Sequence, residues 1–217
     1  MLALDIPEVV IDRLPLYARA LSALEATGRE VVSSQELARQ VFGDIKGAAQ
    51  IRKDLSYFGR FGKQGRGYNV RRLLDELRQI LGLDRQWRMA LVGVGRLGRA
   101  ILGYEGFAPQ GFRIAEAFDA DPATVGTRVN GLLIKHTDEV ERVLAADPVD
   151  VGIVAVPAEG AQRVIDALVR CGVRAILNYA PIAAHVPRGV QMKRVDPVLS
   201  LQSMTYYLKS RAAIAPK

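Results

Sequence analysis

Hydrophobic positions in the first eighty residues recur at three- and four-residue intervals, which is the spacing of one face of an α-helix. The spacing predicts helices at about residues 14–26, 47–58 and 73–81, with a short helix through Leu37, Val41 and Phe42 between the first two. Ser33 and Ser34 are candidate N-caps for that short helix. The N-terminal part of the chain is therefore predicted to be helical.

The pattern changes at residues 82–85, from helical spacing to short apolar segments that alternate with helices. Strands are predicted at about residues 89–92, 113–118, 132–134, 151–156, 174–178 and 191–195, with helices at 99–104, 137–146 and 159–169. Such alternation is typical of a doubly wound parallel sheet. We therefore expect a helical domain over residues 1–82 and an α/β domain over residues 86–195.

Residues 196–217 remain after the sheet, and they contain apolar side chains at helical spacing. Both faces of the predicted sheet already have helices, so this last helix is expected to pack on a second subunit and to form a homodimer. The alternative is that it packs against the N-terminal domain of its own chain.

Composition excludes several classes of protein. Of 217 residues, 49% are hydrophobic and 24% charged, which is ordinary for a globular chain. The longest apolar runs, of about seven residues, are too short to span a membrane, and the N-terminus lacks the order of a secretory signal. A single cysteine, Cys171, excludes an internal disulfide framework and a multi-cysteine metal site. The expected location is the cytoplasm. Cys171 is interpreted as a packing residue, and a thiol that senses oxidants is the alternative.

The net charge of +7 is concentrated between residues 46 and 72, where eight basic residues face one acid, Asp54. The predicted third helix has Ile51, Leu55 and Phe58 on its inward face, so its opposite face is free to enter a major groove of DNA. The candidate DNA-binding residues on this helix are Ala48, Gln50, Arg52, Lys53, Ser56 and Tyr57. The alternative is a solvated basic surface.

Glycines alternate with cations over residues 59–68, which indicates a slim basic hairpin, or wing, that fits a minor groove. Its candidate DNA-binding residues are Arg60, Lys63 and Arg66. Phe58, Phe61 and Tyr68 bracket the glycines and would anchor the hairpin to the helices. A flexible linker is the alternative.

The sequence Gly93, Val94, Gly95, Arg96, Leu97, Gly98 joins a predicted strand to a predicted helix, the context that a dinucleotide-binding turn requires. Asp119 ends the next strand 21 residues later and is placed to bind an adenosine ribose. With Asp121 close by, two carboxylates would repel the extra phosphate of NADP. The expected cofactors are NADH and NAD, and an ordinary acidic turn is the alternative for Asp119.

The carboxyl ends of two later strands are candidates for the nicotinamide side of the crevice. They supply Val156, Pro157, Asn178, Tyr179, Ala180 and Pro181. Structural turns would have a similar sequence.

Three functions fit these features: a DNA-binding sensor of the dinucleotide, an NAD-dependent dehydrogenase with an added basic domain, and a structural DNA-binding protein with a vestigial nucleotide fold. A dehydrogenase generally needs a positioned acid or base. His136 and His185 are the two histidines, and neither has a carboxylate at a spacing that suggests orientation. We therefore predict no catalytic residue and no metal site, and favour the sensor.

The chain resembles the Rex family of redox-sensing transcriptional repressors over nearly its whole length. The resemblance is carried by RLPLY at residues 13–17, RKDLSYFG at 52–59, GRGYNV at 65–70, the glycine turn, FDADP at 118–122 and ILN at 176–178. It implies an N-terminal winged helix-turn-helix domain, a Rossmann domain with a swapped C-terminal helix, a homodimer, and release from operator DNA when NADH binds.

The resemblance also implies a switch in which Asp196 changes partners between Arg19 of the first helix and Tyr104 near the cofactor. Pro197 departs from the family pattern, because it follows Asp196 where an aromatic or other bulky side chain would close over the nicotinamide. Proline in the first turn of a helix is otherwise well tolerated.

Overall fold

The computed structural model describes residues 6–59, 61 and 67–212, with side chains through residue 209. The chain forms two compact units, which meet in sequence between Arg85 and Gln86. Within the described ranges, no helix is both long and apolar enough to cross a lipid bilayer.

The first unit is a small helical domain with a two-stranded antiparallel sheet. Its elements are α1 (Glu8–Ala26), β1 (Val31–Val32), α2 (Ser34–Phe42), α3 (Ala48–Ser56), β2 (Tyr68–Asn69) and α4 (Val70–Ile80). One cluster of buried side chains from all four helices forms its core, with Leu14, Leu37, Ile51 and Leu73 almost without solvent contact. The four predicted helices are thus confirmed.

Helix α1 begins at Glu8, six residues before its predicted start, and contains Pro15. Proline removes one backbone hydrogen bond from a helix interior. Here Val10 precedes Pro15 and Tyr17 follows it, and both are buried. The packing of their side chains on both sides of the proline compensates for the lost hydrogen bond.

Helix α2 begins at the predicted N-cap. The Ser33 hydroxyl accepts a hydrogen bond from the Glu36 N–H at 3.1 Å, and the Glu36 carboxylate accepts one from the Ser33 N–H at 2.8 Å. This reciprocal pair satisfies two backbone donors that the helix itself leaves unpaired. It also explains why the pKa of Glu36 is lowered, since the Ser33 N–H and hydroxyl stabilise its charged form.

Strand β1 was not predicted, and it pairs with β2 at the base of the predicted wing. Two residues are too few for a hydrophobic pattern, although Val32 is buried. Phe58, Phe61 and Tyr68 pack against the core cluster, as predicted. The wing candidates Arg60, Lys63 and Arg66 lie outside the described residues.

The second unit is an α/β domain built on a seven-stranded sheet. Its elements are β3 (Trp87–Val92), α5 (Arg96–Leu102), β4 (Phe112–Asp119), β5 (Arg128–Val129), β6 (Leu132–His136), α6 (Val140–Ala146), β7 (Val151–Val154), α7 (Ala158–Arg170), β8 (Ala175–Asn178), β9 (Gln191–Arg194) and α8 (Pro197–Ala212). The strand order is β5-β6-β4-β3-β7-β8-β9. All neighbours are parallel except the edge pair β5 and β6.

Six of these strands follow the Rossmann order, and the sheet is covered on both faces. Along β3, Ala90 and Val92 contribute to one apolar cluster, whereas Met89 and Leu91 contribute to the other. This alternation follows from the two-residue period of a strand. The predicted doubly wound sheet and its last strand at about residue 191 are confirmed.

The C-terminal helix α8 begins directly after the sheet. Pro197 is its first residue, and the Asp196 carboxylate accepts a hydrogen bond from the Val198 N–H at 3.0 Å. Its apolar side chains are half or more exposed, namely Val198, Leu199, Leu201, Met204, Tyr206, Tyr207 and Leu208.

Candidate dinucleotide pocket and nucleic-acid interface

Three glycines shape the turn between β3 and α5, each for a different reason. Gly93 has a φ of +97°, and a Cβ there would lie 2.5 Å from the Ala155 carbonyl oxygen. At Gly98, a Cβ would lie 2.0 Å from the Gly93 carbonyl oxygen. By contrast, a Cβ at Gly95 would meet no atom within 4 Å. The first and third glycines are therefore required by the fold, and the second leaves space for a ligand to approach the backbone.

Asp119 lies at the end of β4, beside this turn. One carboxylate oxygen accepts a hydrogen bond from the Val94 N–H at 2.5 Å, and the other accepts one from the Asp121 N–H at 2.8 Å. The sequence suggested only a ribose contact. The structure adds that Asp119 ties the glycine turn to the loop after β4, so the two parts of the motif hold each other in place.

A cavity of about 820 Å³ opens at the carboxyl ends of the central strands. This volume lies in the usual range for small-molecule sites. Among the residues predicted for the cofactor, Gly93, Gly95, Asp119, Val156 and Pro157 line it.

The sequence analysis did not predict the wall of the cavity that is formed by the turn after β6 and by α6 and α7. This wall includes Thr137, Asp138, Val140, Glu141, Glu159, Arg163, Val164 and Ala167. Thr137 and Asp138 directly follow β6, so the rule that ligands bind at the carboxyl ends of parallel strands could have identified them.

The other predicted cofactor residues do not line this cavity. Arg96 and Leu97 are exposed on the first turn of α5, whereas the side chain of Val94 is buried. Asn178 is also buried, and its amide bonds to both the N–H and the carbonyl of Ala180, which is buried as well. Asn178 and Ala180 thus shape the turn after β8, and their predicted contact with the cofactor stays a prediction.

Tyr179 and Pro181 flank that turn. Tyr179 packs against the apolar cluster on one face of the sheet, and Pro181 is exposed. Their contact with the nicotinamide stays a prediction.

On α3, the exposed face carries Gln50, Arg52, Lys53 and Ser56. Ala48 was predicted on that face, and this is wrong, because it is buried in the core. The helical period explains the correction: Ala48 lies three residues before Ile51 and seven before Leu55, on the same inward stripe. Tyr57 is half-buried at the end of the helix.

Two candidate DNA-binding residues are already held by polar contacts. The Arg52 guanidinium donates a hydrogen bond to the Ser34 hydroxyl at 2.8 Å, which links α3 to the start of α2. The Ser56 hydroxyl donates to the Lys53 carbonyl oxygen at 2.6 Å. Lys53 itself is exposed near the end of the helix.

The acidic residue of this helix, Asp54, is fully buried. Arg13 donates two hydrogen bonds to its carboxylate at 2.6 and 2.8 Å, and the Tyr17 hydroxyl and the Gln50 amide each donate one at 2.6 Å. Burial by itself would raise the pKa of Asp54, but the hydrogen bonds from Arg13, Tyr17 and Gln50 outweigh burial and lower it. The pKa of Tyr17 is raised, first by burial and then by its bond to Asp54.

From the sequence, Asp54 was noted only as the single acid among eight basic residues, and its burial was not predicted. Its position three residues after Ile51 places it on the apolar stripe, and a charged residue on such a stripe indicates a buried pair.

The residues of the implied switch are exposed or cap a helix. Arg19 is exposed on α1, and Tyr104 is 59% exposed with its ring edge-on to Phe107 at 4.9 Å. Asp196 caps α8.

Both histidines stabilise loops. His136 Nδ1 accepts a hydrogen bond from the Asp138 N–H at 3.2 Å and lies 3.2 Å from the Asp138 carboxylate. The sequence analysis predicted no such carboxylate beside either histidine. The backbone N–H of His185 donates a hydrogen bond to the Gln162 side-chain oxygen at 2.9 Å. No group of three or more potential ligand side chains among the described residues could hold a metal ion.

Comparisons with known proteins find relatives for both units of the chain. Residues 5–56 match the family model described as a putative DNA-binding protein N-terminus, and residues 84–182 match the CoA binding domain model. The redox-sensing transcriptional repressor Rex of Roseiflexus sp. is 54% identical over 202 residues, which cover 93% of this chain and 90% of that protein. Rex of Streptomyces coelicolor is 44% identical over 207 residues, or 95% of this chain and 79% of that protein.

Solved structures of the Rex-family repressor RSP match nearly the whole chain. RSP in complex with NAD⁺ and operator DNA has a TM-score of 0.89 at 37% identity, covering 97% of this chain and 96% of that one. RSP in complex with NADH has a TM-score of 0.86 at 35% identity, covering 97% and 98%. The chain therefore belongs to the Rex family of redox-sensing transcriptional repressors.

Proposed function

We propose that this chain is a homodimeric repressor that binds operator DNA through α3 and the wing, and that NADH bound in the α/β domain releases it. The observation that carries the proposal is that one chain combines the glycine-turn cavity with an exposed basic recognition helix. The RSP complexes support it, because that related protein binds NAD⁺ together with operator DNA and also binds NADH.

The residues around the glycine turn fit a dinucleotide. Gly95 leaves open space where a pyrophosphate would approach the backbone, and the apolar pair Val156 and Pro157 lines the same cavity. Asp119 and Asp121 add negative charge near the expected ribose, which favours NAD(H) over the additional phosphate of NADP(H). When bound, the dinucleotide supplies a nicotinamide whose oxidation state distinguishes the two forms.

A dimer is proposed from α8. Its half-exposed apolar side chains would lose their remaining contact with water against a second subunit. Complete burial of such a side chain from full exposure is worth about 1.5–3 kcal/mol, and each side chain of α8 would contribute a part of that. A two-fold dimer would place two α3 helices on a two-fold-related operator. Arg19, Tyr104 and Asp196 are proposed to change partners when the dimer changes shape.

The mechanism requires that NADH and DNA prefer different states of the dimer. A ligand shifts a two-state equilibrium only by the difference between its affinities for the two states. NADH is therefore expected to weaken DNA binding, and DNA is expected to weaken NADH binding by the same factor.

The test uses labelled duplex DNA that this protein has selected. NADH is titrated into the protein–DNA complex at fixed NAD⁺, and fluorescence anisotropy reports how much DNA stays bound. Release of the DNA by NADH, with a reciprocal loss of NADH affinity on saturation with DNA, supports the proposal. DNA binding that does not change at saturating NADH would overturn it. A parallel incubation with NADH and a panel of carbonyl compounds should leave the nicotinamide absorbance constant.

A further inference from the structure

A buried cluster under the recognition helix is not explained by either proposed binding site. Asp54 has no solvent contact, so no DNA can touch it. Each of its carboxylate oxygens accepts two hydrogen bonds, one oxygen from Arg13 and Gln50 and the other from Arg13 and Tyr17. The carboxylate therefore uses its full capacity as an acceptor.

Three of these hydrogen bonds connect α3 to α1. The Arg13 guanidinium donates to both carboxylate oxygens, and this bidentate contact fixes the orientation of the carboxylate as well as its distance from Arg13. Tyr17, which is also fully buried, adds a third point. These contacts fix the rotation of α3 about its own axis, and with it the direction in which the exposed face points.

The fourth hydrogen bond acts on an exposed residue. Gln50 lies one turn before Asp54, and its Nε2 donates to Asp54 Oδ1 at 2.6 Å. A carboxylate can only accept, so the amide nitrogen, and not the amide oxygen, must face it. Because the amide group is planar and its two polar atoms diverge, Gln50 Oε1 is directed away from Asp54.

We propose that Asp54 is a positioning residue for sequence recognition: by holding Gln50 Nε2, it presents Gln50 Oε1 to the major groove as a hydrogen-bond acceptor. The proposal rests on the proposed function, since it assumes that α3 enters a major groove. An acceptor there pairs with the amino groups of adenine and cytosine and meets only an acceptor on guanine and thymine. The chain should therefore prefer an amino base over a keto base at one position of each half-site.

The experiment is a selection of duplexes from a random-sequence pool by the full-length chain without NADH, followed by sequencing. Wild type is expected to show the amino-base preference, and Gln50→Ala to lose it at that position alone, a change of about 5- to 150-fold. Asp54→Asn is expected to weaken the same preference, because an amide at residue 54 lets Gln50 adopt either orientation.

Tyr17→Phe is the matched control. This variant removes one hydrogen bond to the Asp54 carboxylate but keeps the hydrogen bonds that Arg13 and Gln50 donate to it. The base preference should therefore persist. If Asp54 were only structural, each of the two variants, Tyr17→Phe and Asp54→Asn, would lower the affinity for all duplexes by one factor. Neither variant would then change the base preference at any position. That result would overturn the proposal, as would an Asp54→Asn chain with an unchanged preference.

Gln50→Glu keeps the proposal testable if Asp54→Asn does not fold. It keeps an acceptor oxygen and leaves the Arg13 and Tyr17 bonds to Asp54 in place, but it removes the amide donor. Both oxygens of a glutamate are acceptors, so this variant presents an acceptor to the groove without help from Asp54, and the amino-base preference should survive. If Asp54 already holds Gln50 Oε1 as an acceptor, wild type should discriminate between amino and keto bases as sharply as Gln50→Glu. A wild type that discriminates clearly less than Gln50→Glu would refute the role of Asp54. A wild-type chain that selects no sequence would count against the proposed function, whereas normal selection with an unchanged Gln50→Ala profile would count against this inference alone.

Discussion

Two alanine substitutions in one turn are expected to have opposite effects. Gly95 and Gly98 lie three residues apart between β3 and α5, and alanine adds one methyl group at either position. We predict that Gly98→Ala destabilises the α/β domain, whereas Gly95→Ala leaves its stability unchanged and weakens NADH binding.

The geometry sets the magnitudes. A methyl group at Gly98 would lie 2.0 Å from the Gly93 carbonyl oxygen, so the helix or the turn must move to make room. Such overpacking costs typically about 1–3 kcal/mol, which lowers the melting temperature by several degrees. At Gly95, φ is −68° and no atom lies within 4 Å, so alanine fits the free protein without strain. If the pyrophosphate occupies that space, a similar cost of about 1–3 kcal/mol falls on binding, equivalent to about 5- to 150-fold in Kd.

The assay pairs thermal unfolding with titration of NADH fluorescence for both variants and wild type. The expected pattern is a lowered melting temperature for Gly98→Ala only, and a raised Kd with a normal melting temperature for Gly95→Ala. A Gly95→Ala chain that binds NADH as tightly as wild type would refute the placement of the cofactor at this turn. A Gly98→Ala chain of unchanged stability would refute the steric argument.

Three further predictions concern single side chains. Asp119→Asn should raise the affinity for NADPH relative to NADH by about tenfold, or 1.4 kcal/mol, because it removes a charge that opposes the extra phosphate; an unchanged ratio in parallel titrations would argue against this role. The pKa of Asp54 is lowered in the folded chain, so its contribution to stability is present above its unfolded pKa of about 3.9 and is lost as the pH falls through the lower folded value. Urea midpoints between pH 2 and 6 should therefore fall more steeply for wild type than for Asp54→Asn, and parallel curves would contradict this. Ser33→Ala should destabilise the N-terminal unit by about 1 kcal/mol through loss of the cap to α2. Ser34→Ala leaves that cap intact and loses only the exposed hydrogen bond from Arg52, so it should destabilise the unit less.

The periodic parts of the fold could be predicted from the sequence because burial is periodic. The four N-terminal helices and the alternating strands follow from apolar spacing, and Ser33 was one of the two predicted N-caps of α2. Strand β1 could not be found in this way, because two residues show no period. Helix α1 was predicted too short because its apolar spacing was followed only from Leu14, whereas buried Val10 lies one turn earlier.

The sites were predictable where a local motif defines them. The glycine turn and Asp119 were identified because their roles depend on backbone approach and on spacing along the chain. The α6 and α7 wall of the cavity depends on how distant segments pack, which one sequence does not show. The prediction that Ala48 is exposed was wrong for a related reason, since Ala48 lies on the inward stripe of α3. Asp54 lies on the same stripe, and the sequence analysis made no prediction of its burial.

The two outermost strands of the seven-stranded sheet have a consequence for solubility. A sheet that ends in unpaired backbone groups can recruit the same edge of another molecule and grow into fibres. Here one edge is the two-residue strand β5, where the Arg128 guanidinium bonds to the Gly131 carbonyl oxygen at 2.8 Å. The other edge, β9, carries Lys193 and Arg194. Short length and positive charge at these borders discourage open-ended aggregation.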